Sequence, residues 1–397
     1  MYATPPPSLT RLHDLDAAWA EPTPGVRLEG VRRAARRLHD RLAAAGAAVS
    51  VRTHDVVTFP YPTRYALGDA ASSPAPYVMM RNRVHLVQVI AGGALTTILV
   101  NPSDPERSLT APFFARQLER YGQLLTRRVM SQRHGSTLEA LQAWGVAPEE
   151  IDFVTFDHLH VQDVRGLLGT AAPEPGQTVP TPALLPRARL LAQRAELATL
   201  EHPHPLQADW YVRDALTGVD PDRLIALDGD HAIGAGFALV RTPGHTAGNH
   251  SLVIVTERGL WTVSENGVAV DAYAPECSEI PGVRKYAREH QVEVVLNANT
   301  REHSLDQYTS MVLEKTLAEP CADRPEFPQH FPSSELVRHL MAPALAPTFS
   351  HGVISHGTVR HVSVAPRPAA LDSRPAPPPS IQGPGPAKQA RSDNGAG

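Results

Sequence analysis

Two short segments of this chain carry histidines at spacings that suit metal binding: His158-Leu159-His160 and, much later, Thr242-Pro243-Gly244-His245. Side chains along an extended segment repeat with a period of two, so His158 and His160 point the same way. His245 must reach them from a separate loop. Three neutral imidazoles and a water form the open arrangement of a catalytic zinc site, whereas structural zinc sites are closed by four protein ligands. The three histidines are therefore predicted to hold one metal ion.

The residues that flank these histidines extend the pattern. An apolar strand leads through Thr155-Phe156-Asp157 into the paired histidines, and another leads into Thr242-Pro243-Gly244-His245-Thr246-Ala247-Gly248-Asn249-His250-Ser251. The two segments resemble, in order, the "Thr-His-x-His-x-Asp-His" and "Thr-Pro-Gly-His-Thr-x-Gly-His-x-Ser" loops of the metallo-β-lactamase superfamily. The resemblance runs from roughly Val78 to Arg301. It implies an α+β fold, an αββα sandwich in which two packed sheets lie between helices, and hydrolysis of lactams, lactones, thioesters or phosphodiesters.

The chain departs from this family at the ligands of the second metal ion. Gln162-Asp163 stands where the family has Asp-His, and Asn299 stands where its last histidine belongs. The bridging aspartate is replaced by Asn266 or Glu265, and the family register favours Asn266 as the residue that faces the metal. Amide oxygens suit hard cations better than zinc. We therefore expect one divalent ion at His158, His160 and His245, with zinc favoured and iron as the alternative.

Two carboxylates are candidates for general base, Asp163 and Glu265. Asp163 can equally approach the metal or bond a backbone amide at the start of the next helix, and both interpretations stay open. Glu265 is a candidate base or fourth ligand. Gln162, Asn266 and Asn299 are candidate pocket residues or weak ligands, although asparagine is also common in turns because it tolerates left-handed backbone geometry.

These residues support three functional hypotheses. The first is a metal-dependent hydrolase that acts on a small ester, lactone or amide. The second is a non-haem iron oxygenase, because two histidines and one carboxylate are the ligand pattern of that class. The third is a non-catalytic member of the fold, which the replaced ligands favour and the retained histidines disfavour.

Composition narrows the partners and the compartment. The 397 residues have a net charge of -4, which gives no electrostatic basis for binding nucleic acid or an anionic membrane. No apolar run is long enough for a transmembrane helix, and the N-terminus lacks the pattern of a signal peptide. Only two cysteines are present, too few for a disulfide framework. These features predict a cytoplasmic protein with a small-molecule substrate, and abundant Pro, Ala and Arg are typical of a GC-rich bacterial genome. The oligomeric state is not indicated.

The chain is predicted to have three parts. Helical spacing predicts an N-terminal helical extension at 1–50, the resemblance implies a metallo-β-lactamase-like domain at 51–365, and composition predicts a disordered Pro/Ala/Gly-rich tail at 366–397. Within the domain, helical spacing predicts helices over Leu191–Leu200, Ser304–Leu317 and Ser334–Met341. Strands are predicted over Phe237–Arg241, Ser251–Val255 and Gly259–Val263.

Overall fold

The computed structural model describes residues 2–122, 131–299, 301–340 and 342–361. The tail predicted to be disordered, 366–397, lies outside this range. Strands in the described residues are β1 Leu9–Leu12, β2 Ser50–Pro62, β3 Tyr77–Ala91, β4 Ala94–Val100, β5 Gln132–Arg133, β6 Phe153–Thr155, β7 Arg189–Gln193, β8 Leu224–Leu227, β9 Asp230–Ile233, β10 Phe237–Arg241, β11 His250–Thr256, β12 Gly259–Ser264, β13 His330–Pro332, β14 Ser334–Val337 and β15 His356–Gly357.

The helices alternate with these strands along the chain. They are α1 Asp16–Trp19, α2 Pro24–Ala45, α3 Thr63–Ala66, α4 Pro105–Ser108, α5 Pro112–Tyr121, α6 Thr137–Trp144, α7 Arg165–Leu168, α8 Arg194–Glu201, α9 Val283–His290 and α10 Ser304–Leu317. In the described part of the chain, no helix is both long enough and apolar enough to span a membrane.

The strands form two sheets. One has the order β1-β9-β10-β11-β12-β13; the other has the order β15-β2-β3-β4-β6-β7-β8, with β14 beside β3 and β5 beside β2. Side chains alternate across each strand because the pleat has a period of two. In β10, Phe237 and Leu239 face the other sheet, while Ala238 and Val240 face the helices. The core between the sheets continues with Val87, Ile98, Leu191 and Ile254.

Helices cover the outer face of each sheet. On the six-stranded sheet, the apolar faces of α2 and α10 pack on Val240, Val253 and Val255. On the larger sheet, α6 and α8 cover a second apolar layer that includes Leu99, Val154 and Leu190. The order of layers is helix, sheet, sheet, helix, and the predicted α+β sandwich is confirmed.

The first fifty residues contribute directly to this sandwich. Strand β1 pairs antiparallel with β9, from Leu9 opposite Ile233 to Leu12 opposite Asp230. Helix α2 buries Val31, Leu38 and Leu42 against the six-stranded sheet. The domain boundaries at residues 50 and 365 stay predictions.

Two predicted helices differ from the structure. The segment Leu191–Leu200 begins as strand β7, which pairs with β6 and β8, and turns helical only at Arg194. The segment Ser334–Met341 contains strand β14, because Ser334 to Val337 pair antiparallel with Asn82 to Met79 of β3. Pairing with a strand distant in sequence outweighs the local helical spacing in both cases. The helix Ser304–Leu317 is confirmed.

Candidate metal centre

The paired histidines follow directly from the end of β6. The preceding residue, Asp157, is buried, and its backbone N–H donates to Asn101 Oδ1 at 3.3 Å. After His160 the chain turns sharply at Val161, whose φ is +57°, and Val161 N–H donates to Trp210 O at 2.6 Å. A β-branched residue with positive φ is strained, and such strain concentrates at functional sites. The tight turn keeps both imidazoles at the edge of the sheet.

The third histidine follows the end of β10. Gly244 precedes it with φ +147°, and a Cβ there would lie 2.2 Å from Gln307 Cα in α10. Only glycine allows the loop to approach the helix this closely. The backbone N–H of His245 donates to Asn266 Oδ1 at 3.2 Å, which anchors the loop to the residues that follow β12.

The two loops bring the three predicted ligands together. One ligand atom from each of His158, His160 and His245 lies within 4.8 Å of the others. His160 Nδ1 is 3.2 Å from His245 Nε2, and the ring centroids are separated by 4.5 to 5.0 Å. The three side chains therefore lie within reach of one shared ion.

The electrostatics of the three imidazoles suit a metal. Burial, with repulsion from His158, lowers the pKa of His160 and of His245 well below the usual range, so both rings are neutral, the state that coordinates a metal. His158 differs. Burial lowers its pKa, but the neighbouring Asp157 carboxylate, with Oδ2 3.2 Å from Nδ1, outweighs burial and raises it. A carboxylate on the second ring nitrogen orients a ligating histidine and fixes its tautomer. The donor set therefore fits a divalent ion such as zinc.

A cavity of about 180 Å³ opens beside the histidines. Much of its wall is apolar or aromatic, and this part is formed by Val57, Phe59, Tyr61, Met80, Leu109, Phe114 and Trp210. Its polar wall includes Asn82, Asn101, Ser103, Gln162, Asn297 and Asn299, together with Asp157, Glu265 and all three histidines. An apolar pocket with a few convergent polar groups is the usual form of a small-molecule site.

Comparison with known proteins gives distant similarities. No protein-family model matches the chain. An N-acyl homoserine lactonase from Bacillus sp is 26% identical over 161 residues, 41% of this chain and 54% of the relative, so the match spans about half of that protein. Similar solved structures are a quorum-quenching N-acyl homoserine lactone lactonase, with 15% identity and a TM-score of 0.42 over 62% of this chain and 88% of the other, and a probable metal-dependent hydrolase from Staphylococcus aureus, with 12% identity and a TM-score of 0.43 over 68% and 84%.

The layer order and the placement of the two motifs decide the fold. Two sheets lie between helices, and the His-x-His and Thr-Pro-Gly-His segments meet in facing loops at one edge of the sandwich. The chain is a metallo-β-lactamase-like αββα sandwich. Its departures from the metallo-β-lactamase pattern can therefore be located residue by residue.

Glu265 is the carboxylate that reaches the cavity from the end of β12. It is buried, and Ser334 N–H donates to its Oε2 at 2.7 Å. Burial, reinforced by the nearby Asp157 carboxylate, raises the pKa of Glu265 to about 8. A carboxyl group with a raised pKa in a cleft is a candidate for proton transfer.

The side chain of Asn266 points away from the cavity, whereas the register of the family predicted that it faces the metal. It is absent from the cavity wall, and its Nδ2 donates to Glu314 Oε1 at 2.7 Å while its Oδ1 holds the amide of His245. Neighbouring residues in an extended segment point to opposite sides. With Glu265 facing the cavity, Asn266 faces the buried network around Glu314.

Asp163 lies outside the histidine cluster and outside the cavity wall. Its Oδ1 accepts from Arg165 N–H at 3.0 Å, and its Oδ2 accepts from Arg165 Nη2 at 2.6 Å and from Arg107 Nη1 at 3.0 Å. Glu174 pairs with the same two arginines. The structure thus has the amide-bonding arrangement of Asp163, and two guanidinium groups also hold its carboxylate; a catalytic role for Asp163 stays a prediction.

The two remaining candidates, Gln162 and Asn299, both line the cavity. Sequence reasoning missed Asp157, Asn297 and Trp210. Asp157 had a local signal, since it directly precedes the paired histidines. Asn297 and Trp210 had none, because they reach the cavity through tertiary contacts, with Asn297 Oδ1 accepting from the Tyr61 hydroxyl at 2.8 Å.

Proposed function

We propose that this protein is a metal-dependent hydrolase that binds one divalent ion, zinc in preference to iron, at His158, His160 and His245. The substrate is a small ester, lactone or amide. The observation that carries the proposal is the convergence of the three ligand nitrogens beside a largely apolar cavity. The match to a lactonase over part of the chain supports the same reaction class.

The residues at the second-metal positions support a single ion. Asp163 is neutralised by Arg107 and Arg165, and Asn266 is committed to Glu314 and to the His245 amide. Gln162 and Asn299 offer neutral oxygens only. Glu265 is then the one carboxylate at these positions that faces the cavity, too little negative charge for a second tightly held divalent ion.

The chemistry follows from the ligand set and from one carboxylate. When bound, a divalent ion held by three imidazoles activates water and polarises a carbonyl oxygen. The ionised form of Glu265, favoured above its pKa of about 8, accepts the proton of the attacking water and returns it to the leaving group. Ser334 N–H fixes the orientation of that carboxylate through Oε2. Asp157 holds the ring of His158 through Nδ1.

The cavity wall favours a substrate that combines an apolar part with polar groups. Aromatic side chains such as Phe59, Phe114 and Trp210 suit an acyl chain or ring. Asn82 Oδ1 and Asn101 Nδ2 are buried without hydrogen-bond partners among the described residues, and both residues border the cavity. Buried polar atoms of this kind favour a ligand that supplies a donor to the first and an acceptor to the second.

The iron oxygenase is the second candidate, and the observation that favours it is Glu265. A carboxylate beside two or three histidines is the donor set of non-haem iron enzymes. The two candidates differ in one measurement. An oxygenase consumes dioxygen in step with substrate, whereas a hydrolase releases acid and alcohol or amine without consuming dioxygen.

Removal and restoration of metal tests the proposal. The purified full-length chain is stripped with a chelator and assayed on a panel of acyl lactones, aryl esters and amides, then reloaded with zinc or with iron under anaerobic conditions. We expect hydrolysis to disappear with the metal, to return with zinc, and to be absent from His245→Ala. The exposed His13 provides the control variant His13→Ala, which keeps full activity. Zinc-loaded protein that hydrolyses no member of the panel would contradict the proposal.

A further inference from the structure

One buried carboxylate, that of Glu196, lies between the two histidine loops. Glu196 is in the first turn of α8 and is 1% exposed. It is not part of the cavity wall, so it is not placed to touch a substrate. A buried carboxylate requires hydrogen-bond donors, and the donors to Glu196 come from the two loops that carry the histidines and from Tyr211.

One oxygen of Glu196 holds the first loop. Oε1 accepts from the backbone N–H of Leu159 at 2.7 Å and from the Tyr211 hydroxyl at 3.0 Å. Leu159 separates His158 from His160, so an anchor on its amide fixes the path of the chain through both ligands. The ring of Tyr211 in turn packs edge-on against His160, with centroids 4.7 Å apart.

The other oxygen holds the second loop. Oε2 accepts from the hydroxyl of Thr246, the residue that follows His245. Two residues further on, Gly248 passes so close that a Cβ there would lie 2.1 Å from the backbone nitrogen of Glu196. The start of α8 and the second loop are therefore in direct contact, and one carboxylate bridges the two loops.

We propose that Glu196 is the positioning residue that sets the spacing of the three-histidine site, and that it tightens metal binding without contacting the metal or the substrate. The proposal rests on the metal site proposed above. Groups that orient metal ligands from outside typically change metal affinity by about 10–100-fold. Glu196 acts on both loops at once through its hydrogen bonds.

Zinc affinity provides the test, measured by competition with a chromophoric chelator on the full-length chain. Glu196→Ala removes the hydrogen bonds to Leu159, Tyr211 and Thr246. The zinc Kd of this variant should rise about 10–100-fold. Glu196→Gln keeps an acceptor for Leu159 and Tyr211, and its amide can donate to Thr246, so it should recover most of the affinity. Thr246→Val removes only the anchor of the His245 loop and should give a smaller loss than Glu196→Ala.

Two controls separate positioning from stability. Glu201→Gln changes an exposed carboxylate on the same helix and should leave the zinc Kd unchanged. Leu200→Ala removes a buried side chain from that helix, and it should lower the urea midpoint of the metal-free protein without an equal loss of zinc affinity. If Glu196→Ala fails to fold, Thr246→Val and Glu196→Gln decide the question.

Three results would overturn the proposal. The first is a wild-type zinc Kd in Glu196→Ala. The second, for the case in which Glu196→Ala does not fold, is a wild-type zinc Kd in Thr246→Val. The third is a loss of zinc affinity in Leu200→Ala that equals the loss in Glu196→Ala. If wild-type protein binds zinc tightly in those experiments, the proposed hydrolase stands and only the role of Glu196 fails. Wild-type protein that binds no metal would remove both proposals together.

Discussion

Glu265 and Asn266 are adjacent in the chain, and their side chains point to opposite sides of the same loop. The carboxylate of Glu265 lines the cavity, while the amide of Asn266 accepts the backbone N–H of His245 and donates to the buried Glu314. One residue thus faces the cavity, and its neighbour fixes the loop that carries His245.

Glu265→Gln should separate the roles of base and ligand. The amide keeps the size of the side chain and its acceptor for Ser334 N–H, but it cannot take up a proton. We expect the rate of hydrolysis to fall about 10²–10⁴-fold, the usual contribution of general base catalysis, with metal content unchanged. Full activity in this variant would exclude Glu265 as the base, and loss of the metal would make it a ligand.

Asn266→Ala should act through the His245 loop. It leaves the His245 amide and the Glu314 carboxylate each without one buried partner, which costs about 1–3 kcal/mol of unfolding free energy. Asn299→Ala is the matched control, because Asn299 lines the cavity and its side-chain oxygen has no hydrogen-bond partner among the described residues. Urea unfolding should show a clear loss for the first variant and a small one for the second. Equal losses in stability and in metal content would mean that Asn299 is also a structural or ligating residue.

Asp163→Ala is expected to damage stability more than chemistry. Removing this buried carboxylate costs about 1–3 kcal/mol, because the Arg165 backbone N–H loses its acceptor, while Glu174 still pairs with both arginines. The protein that stays folded should keep its metal and a substantial rate. Should the variant instead be stable and inactive, Asp163 would have a catalytic role that its present contacts do not explain.

The sequence predicted the meeting of the three histidines and most of the scaffold, because both leave local patterns. The helix Ser304–Leu317 has regular apolar spacing, and the three histidines lie in motifs with recognisable flanks. The register of Glu265 and Asn266 was wrong because a one-residue change reverses which side chain faces inward. Strand β14 was read as a helix, since its pairing with Asn82 to Met79 leaves no trace in its own residues. The contacts of Glu196 likewise depend on three distant segments.

Stability should fall with rising pH because of Asp230, the first residue of β9. Burial raises the pKa of Asp230 to about 7, against the opposing effects of the Arg241 N–H and the Arg11 charge. In the folded state Asp230 therefore keeps a proton that it releases in the unfolded state once the pH exceeds the ordinary aspartate pKa of 3.8. Between these two values the unfolding free energy decreases as pH increases, and it levels off above about 7.

Asp230→Asn should remove this dependence. The amide stays neutral and its oxygen can still accept from Arg241 N–H, which the wild-type Oδ1 does at 2.7 Å. At pH 8 we expect the variant to be more stable than wild type by about 1–3 kcal/mol, with the difference vanishing near pH 4. Asp228→Asn, an exposed neighbour, should show neither effect. A difference that is the same at both pH values would contradict a raised pKa.

The metal content of the purified chain tests the central claim most directly. Elemental analysis after dialysis against a weak chelator should find about one divalent ion per chain, as expected of a three-histidine site. The variants His158→Ala, His160→Ala and His245→Ala should each lose it, while His13→Ala keeps it. Two tightly held ions in the wild type, or a wild-type content in any of the three variants, would contradict the account.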